Sequence, residues 1–253
     1  MRNIALILSY DGTNYHGFQR QKNAIAIQNI LEDKLSKILK ENISLVAAGR
    51  TDTGVHALNQ VVSFFTESNL PISKIPLALN SLLPLDIVIT KSMEMPMDFN
   101  ARFNVLRKTY LYKIQLGHFA NPFLRNYAWH IKKLDLNLIE EALNMLKGEH
   151  DFSSFVAVGS TKRSNVRTIY EATFFVNNDI IEFTFTANGF LYHQVRNIIG
   201  ALKFLGENRI NLDKFKEIFD AKNRKLAPPT APPNGLYLAS VEYKANFKSS
   251  FVT

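Results

Sequence analysis

Two apolar runs of strand composition, residues 45–48 and 61–65, enclose a polar loop over 49–60, and no other stretch constrains the chain as tightly. Arg50, Thr51, Asp52 and Thr53 lie between Gly49 and Gly54, with His56 just beyond. Glycine on each side lets the backbone take conformations closed to other residues and approach a ligand closely. Asp52 is therefore expected at the end of a sheet, with the permanent cation of Arg50 two residues away. A guanidinium there favours the ionised carboxylate, the form that a nucleophile or a base requires. Two plainer readings stand beside this one. Asp-Thr-Gly is ordinary turn chemistry, because an Asp side chain readily bonds its own backbone. Asp52 and His56 also form a two-member metal ligand set, weak for want of a third ligand nearby.

A chain of 253 residues buries a sizeable core as one large domain or two small ones. Its longest apolar runs, such as residues 4–8, are far too short to span a bilayer, so no membrane association is expected. The first residues lack a long apolar stretch followed by a cleavage site, which argues against secretion. The absence of cysteine excludes disulfides, thiolate metal sites and cysteine catalysis, and suits the cytoplasm. A formal charge of +8 favours a polyanionic partner. No strongly basic amphipathic helix stands out, so nucleic acid is preferred over anionic membrane.

In chain order, residues 3–10 read as a buried strand ended by Asp11-Gly12. The loop over 13–21 mixes Tyr15, His16, Gly17, Phe18 and Arg20, a composition suited to stacking on bases and pairing with phosphate, or to a structured surface loop. Ile27, Ile30, Leu31, Leu35, Ile38 and Leu39 recur at three and four residues and predict a helix over 25–40. Glu32, Asp33, Lys37 and Lys40 fall on its expected solvated face. A helix over 71–83 and a strand over 87–92 complete a first unit ordered strand-helix-strand-strand-helix-strand. That order suggests an α+β unit with a mostly antiparallel sheet.

Alternation over 107–112 puts Tyr110 and Tyr112 on one strand face, with Lys108 beside them. Pattern alone reads two core tyrosines there. A helix is expected over 134–146, followed by His150-Asp151, which is read as a loop anchor rather than a proton-transfer pair. Lys162, Arg163 and Arg167 mark a phosphate-contact segment or a solvated loop. A hairpin turns at Asn177-Asn178-Asp179. Over 188–202, Leu191, Val195, Ile198, Ile199 and Leu202 make an apolar helix face, while His193, Arg196, Asn197 and Gly200 make a second stripe, by default solvated. A short helix over 212–219, a proline-rich segment over 225–235, a strand over 236–243 and a loose tail over 246–253 follow.

The string Gly49-Arg50-Thr51-Asp52-Thr53-Gly54-Val55-His56-Ala57 resembles the catalytic motif of the TruA family of tRNA pseudouridine synthases, departing from the common form at Thr53, where alanine is usual. The stretches from Tyr10-Asp11-Gly12 to Gly17-Phe18-Gln19-Arg20-Gln21, Ala101-Arg102-Phe103, Lys108-Thr109-Tyr110-Leu111-Tyr112, His193-Gln194-Val195-Arg196-Asn197-Ile198-Ile199-Gly200, and the ending around Pro229-Thr230-Ala231-Pro232 and Gly235-Leu236-Tyr237-Leu238 resemble further motifs of that family, in the same order. The family usually carries Ser or Thr where Ala26 precedes the first helix, so a side-chain cap is expected to be missing.

The resemblance implies a function: isomerisation of uridine to pseudouridine at positions 38, 39 and 40 of the tRNA anticodon stem-loop, with no cofactor and no metal. It makes Asp52 the nucleophile, Tyr110 the residue that packs on the target base, and Arg196 the partner of Asp52 from the second half of the chain. Arg20, Arg50, Arg102 and Lys108 become candidate phosphate contacts, and His56 a further substrate-binding candidate. It also implies an α+β fold: two similar α/β subdomains with mostly antiparallel sheets joined into one extended sheet, helices on one side and an RNA cleft on the other. The expected boundaries are 1–104, 105–245 and a tail over 246–253. The expected assembly is a cytoplasmic homodimer that binds tRNA. The alternative is a catalytically inactive tRNA-binding module on the same scaffold.

Overall fold

Ile4, Ala5, Leu6 and Leu8 are all fully buried, so the first strand is covered on both faces. The computed structural model describes residues 1–21, 23–157 and 164–248, the last of them by its backbone alone. Among these residues lie ten strands and six α-helices. In chain order they are β1 (Arg2–Tyr10), α1 (Ile27–Leu39), β2 (Val46–Ala47), β3 (His56–Thr66), α2 (Lys74–Asn80), β4 (Ile87–Met95), β5 (Val105–Leu116), β6 (Trp129–Ile131), α3 (Leu136–Leu146), β7 (Gly148–Asp151), β8 (Val166–Asn177), β9 (Ile180–Ala187), α4 (Gln194–Gly206), α5 (Leu212–Asp220), β10 (Leu236–Tyr243) and α6 (Ala245–Lys248). The chain resolves into two units, residues 1–108 with 237–248, and residues 109–236.

In the first unit the strands run in the order β4-β1-β3-β10, with β2 on β3. β1 pairs antiparallel with both β3 and β4, while β10 joins β3 in parallel through Tyr237 opposite His56 and Leu238 opposite Ala57. That pairing corrects one boundary. β3 begins at His56, not after Gln60, because backbone pairing with β1 and β10 carries the strand through polar Asn59 and Gln60. Asn59 Nδ2 donates to the Ala239 carbonyl at 2.9 Å.

One face of this unit holds a cluster of Ala5, Ala48, Val61, Met93, Phe99, Ala101 and Tyr243. Phe247, expected in a loose tail, is buried there against Phe99, with ring centroids 5.2 Å apart. α2 is shorter than the predicted 71–83 and packs on β4 and α1.

α1 follows its apolar spacing, burying Ile27, Leu31, Leu35 and Leu39, and ends at Lys40 in the left-handed conformation. As expected, Ala26 caps nothing with its side chain. The loop before the helix does that work instead, since the Ile27 and Gln28 N–H groups donate to the carbonyls of Gly17 and Phe18 at 3.2 and 3.0 Å. Glu32 departs from expectation, because it is buried rather than solvated.

In the second unit the order is β5-β9-β8-β7, with β6 parallel to β5. The β8–β9 hairpin turns where predicted, at Asn178 with φ 54°. α3, α4 and α5 pack on one another, and α3 also packs on β8. His150 and Asp151 anchor the following turn: His150 Nε2 lies 2.8 Å from the Lys147 carbonyl, and Asp151 accepts from the Ser153 N–H and hydroxyl. The stripe of Asn197 and Gly200 on α4 is buried, not solvated. The proline-rich segment covers it: Gly200 lies against the Pro229 carbonyl, and Thr230 Oγ1 donates to Asn197 Oδ1 at 2.6 Å.

Candidate active site

Hydrogen bonds pin the backbone of the loop between β2 and β3 at several points. The Ala48 N–H donates to the Val61 carbonyl at 2.8 Å, and the Ala48 carbonyl accepts from Lys108 Nζ at 2.6 Å. The Gly49 carbonyl accepts from Gln60 Nε2 at 2.8 Å, and the Thr51 carbonyl from the Phe18 N–H at 3.1 Å. The Val55 N–H closes a turn onto the Asp52 carbonyl at 3.1 Å, with Gly54 at φ 75° in the position that a type II turn reserves for glycine. The turn reading of Asp-Thr-Gly and the presentation of Asp52 therefore describe the same loop. Thr51, Val55 and His56 are buried, Asp52 is half-buried, and Arg50 is exposed.

The loop over 12–21 lies directly against this one. Gly17, at φ 82°, brings its backbone so close that an added Cβ would stand 2.5 Å from the Thr51 carbonyl oxygen. The Gly54 N–H donates to the Tyr15 carbonyl at 3.3 Å. A buried carboxylate fixes the far end of the loop. Glu32 pairs with the Arg20 guanidinium at 2.8 Å and accepts from Gln28 Nε2 and the Leu45 N–H, both at 2.9 Å. Gln28 Oε1 in turn accepts from the Arg20 N–H at 3.1 Å. Arg20 therefore stands half-exposed with one side of its fork on Glu32. A helical pattern read alone gave no signal for this clamp.

His56 is 1% exposed. Its Nδ1 lies 3.0 Å from the Gly12 N–H and 3.1 Å from Asp11 Oδ1, and its ring stacks on Tyr237 at 4.7 Å. A single nitrogen cannot accept from the amide and donate to the carboxylate at once. The amide has no other role to take, so the geometry favours an accepting Nδ1 with the proton on Nε2. Lys108 reaches the Ala48 carbonyl, and Gly49 lies against its ammonium. Arg102 is exposed, with its guanidinium over the Phe103 ring at 5.4 Å. The first unit thus gathers Asp52, Lys108, His56 and the Arg20 loop around one short segment.

In the second unit Tyr110 and Tyr112 share a buried face of β5, as their spacing predicts. The Tyr110 ring meets Phe190 edge-on at 5.1 Å. Tyr112 Oη donates to the Pro232 carbonyl at 2.8 Å. Burial pushes the Tyr112 hydroxyl well above its ordinary pKa, partly offset by the positive charge of Arg196. Half-buried Arg196 is held twice by Ala231: Nε donates to its carbonyl at 2.9 Å, and the Ala231 N–H returns to the Arg196 carbonyl at 3.0 Å. Arg224 braces the same segment, donating to the Ala227 and Pro228 carbonyls, Asn197 Oδ1 and Thr230 Oγ1 at 2.9–3.1 Å. Lys162 and Arg163 lie outside the described residues.

Among the described residues no helix is long and apolar enough to cross a membrane, and no three His, Asp or Glu side chains are grouped to hold a metal ion. A cavity at the start of α3, lined by Lys132, Lys133, Asp135 and Glu207, contains none of the expected site residues. A family model described as tRNA pseudouridine synthase matches residues 6–104 and 142–244. A protein of Thermoanaerobacter sp. (strain X514) named tRNA pseudouridine synthase A is 46% identical, over 96% of this chain and 100% of that protein. Proteins of the same name from Acetivibrio thermocellus and Limosilactobacillus reuteri (strain DSM 20016) are 43% and 45% identical, over 96% and 97% of this chain and 100% and 98% of theirs.

Proposed function

This chain belongs to the tRNA pseudouridine synthase family, and we propose that it isomerises uridine to pseudouridine at positions 38, 39 and 40 of the tRNA anticodon stem-loop, with Asp52 as the nucleophile. The observation that carries the reading is the fixed loop around a half-buried Asp52. A carboxylate must be held in place to attack, and the loop leaves that side chain partly accessible while Thr51 and Val55 are buried.

The reaction breaks the N1–C1′ glycosidic bond, turns the uracil and joins C5 to C1′, with the C5 proton lost and N1 protonated. Nothing is oxidised or reduced. Asp52 attacks C1′ or C6, or Asp52 or a neighbour removes a sugar proton on a glycal route. Tyr110 packs on the base drawn from its stack, and Arg196 supplies the catalytic guanidinium. Arg20, Arg50 and Arg102 contact phosphates and position the RNA without reading its sequence. Lys108 and His56, whose described partners belong to the protein, hold the loop. The net charge of +8 supports a polyanionic substrate. The family resemblance further supports a cytoplasmic homodimer, to be measured by sedimentation.

The test is incubation with unmodified tRNA followed by site-resolved detection of pseudouridine. Product is expected at the three anticodon-arm positions, and Asp52→Ala is expected to abolish it while tRNA still binds. Product surviving that substitution would remove Asp52 as nucleophile. Binding without product from the unaltered protein would point to the inactive module.

A further inference from the structure

Behind the Asp52 loop lies a buried polar cluster with no part in the chemistry just described. Tyr10, the last residue of β1, is 4% exposed, and its Oη lies 2.8 Å from Thr51 Oγ1. Gln60 is a second hydrogen-bond neighbour of that hydroxyl. Gln60 is itself fully buried and donates to the Gly49 carbonyl. These two side chains therefore hold the loop on both sides of Arg50, from beneath.

We infer that Tyr10 is a positioning residue for Asp52, acting through its hydroxyl bond to Thr51. This rests on the assignment of Asp52 as nucleophile. The Thr51 carbonyl is fixed by the Phe18 N–H, and the Thr51 side chain by Tyr10. Together they set the peptide that carries the carboxylate, and losing the hydroxyl bond leaves that peptide less firmly held. Burial strengthens such a bond and makes an unpaired partner costly. Burial also pushes the Tyr10 hydroxyl up to about 12, so it keeps its proton and its capacity to donate through neutral pH.

Tyr10→Phe deletes one oxygen and keeps the ring beside Phe18, at a centroid distance of 6.2 Å. Because small misplacements of a reacting group are expensive in rate, kcat should fall by about 10- to 100-fold with KM changed by less than about twofold. Thr51→Val should do the same, and Thr51→Ser should retain most of the rate. The double variant Tyr10→Phe/Thr51→Val should be no slower than the worse single variant, since both remove one bond. A second readout needs no RNA: amide hydrogen exchange over residues 49–54 should quicken in Tyr10→Phe and in Thr51→Val. Unchanged exchange in a folded variant overturns the inference. So does a raised KM with kcat intact, or full additivity in the double variant. If the unaltered protein forms no pseudouridine, the functional reading fails by itself, and the exchange measurement still decides whether Tyr10 holds the loop.

Discussion

The ammonium of Lys108 donates to the main-chain carbonyl of Ala48 at 2.6 Å, at the residue where β2 gives way to the Asp52 loop. A lysine expected at phosphate is thus directed into the protein, whereas Arg102 is exposed. The two should respond differently to salt. Arg102→Gln is expected to weaken tRNA binding and reduce the slope of log affinity against log salt by about 1. Lys108→Met is expected to slow product formation roughly tenfold, as loss of loop support does, with the slope unaltered. Filter binding from low to high salt decides it; a reduced slope in Lys108→Met returns that residue to phosphate.

Gly17 is held where no side chain fits. At φ 82° and with the Thr51 carbonyl 2.5 Å from any added Cβ, Gly17→Ala has to strain its own backbone or displace the Asp52 loop. The expected loss is about 1–3 kcal/mol of unfolding free energy. Turnover should fall further than the unfolded fraction explains. Urea unfolding alongside single-turnover kinetics measures both, and a variant with full stability and rate refutes the close approach.

Asn197 lies at the centre of the brace on the proline-rich segment, bonded to the Phe155 carbonyl through Nδ2 and to Thr230 and Arg224 through Oδ1. Asn197→Ala leaves buried groups without partners, at a cost of about 1–3 kcal/mol. Thermal unfolding should shift down by about 2–4 °C for each kcal/mol in a chain of this size. A midpoint unchanged by the substitution shows that the segment is held elsewhere.

Alkaline pH should unfold the protein through its tyrosines. Burial raises the hydroxyl pKa of Tyr10 to about 12 and of Tyr243 well above its ordinary value. Tyr15 is raised likewise, by desolvation, then by its bond to Asp86 and by the charges of Asp86 and Asp11. Above the ordinary tyrosine pKa of about 10 the unfolded chain gives up these protons while the folded chain keeps them, so stability is whole below that pH and declines above it. Urea midpoints from pH 8 to pH 11 should be level and then fall. The decline should be shallower in Tyr10→Phe, and an equal decline would place Tyr10 outside the set.

Much of the fold is written in local pattern. The period of Ile27, Leu31, Leu35 and Leu39 gives α1, and Asn177-Asn178-Asp179 gives the hairpin turn, because each depends on neighbours in sequence. Long-range partners account for what pattern missed. Asn59 and Gln60 look like loop residues until β1 and β10 supply backbone partners. Glu32 looks solvated until Arg20 and Leu45 are brought to it. Asn197 and Gly200 look like an open stripe until residues 229–230 cover them. The turn at Asp52 was legible because its glycine-bounded loop is contiguous. Tyr10 and Gln60, which support that loop, come from separate strands and carry no local mark of the task.

β10 has a consequence for synthesis. Its residues pair with β3 at His56 and Ala57, at the foot of the Asp52 loop, yet a ribosome makes them only after the whole of residues 109–236. A nascent chain therefore lacks that strand partner at the foot of the Asp52 loop throughout translation of the second unit. β3 gains this parallel neighbour late, and a message truncated before codon 237 yields a protein in which His56 and Ala57 lack their β10 partners.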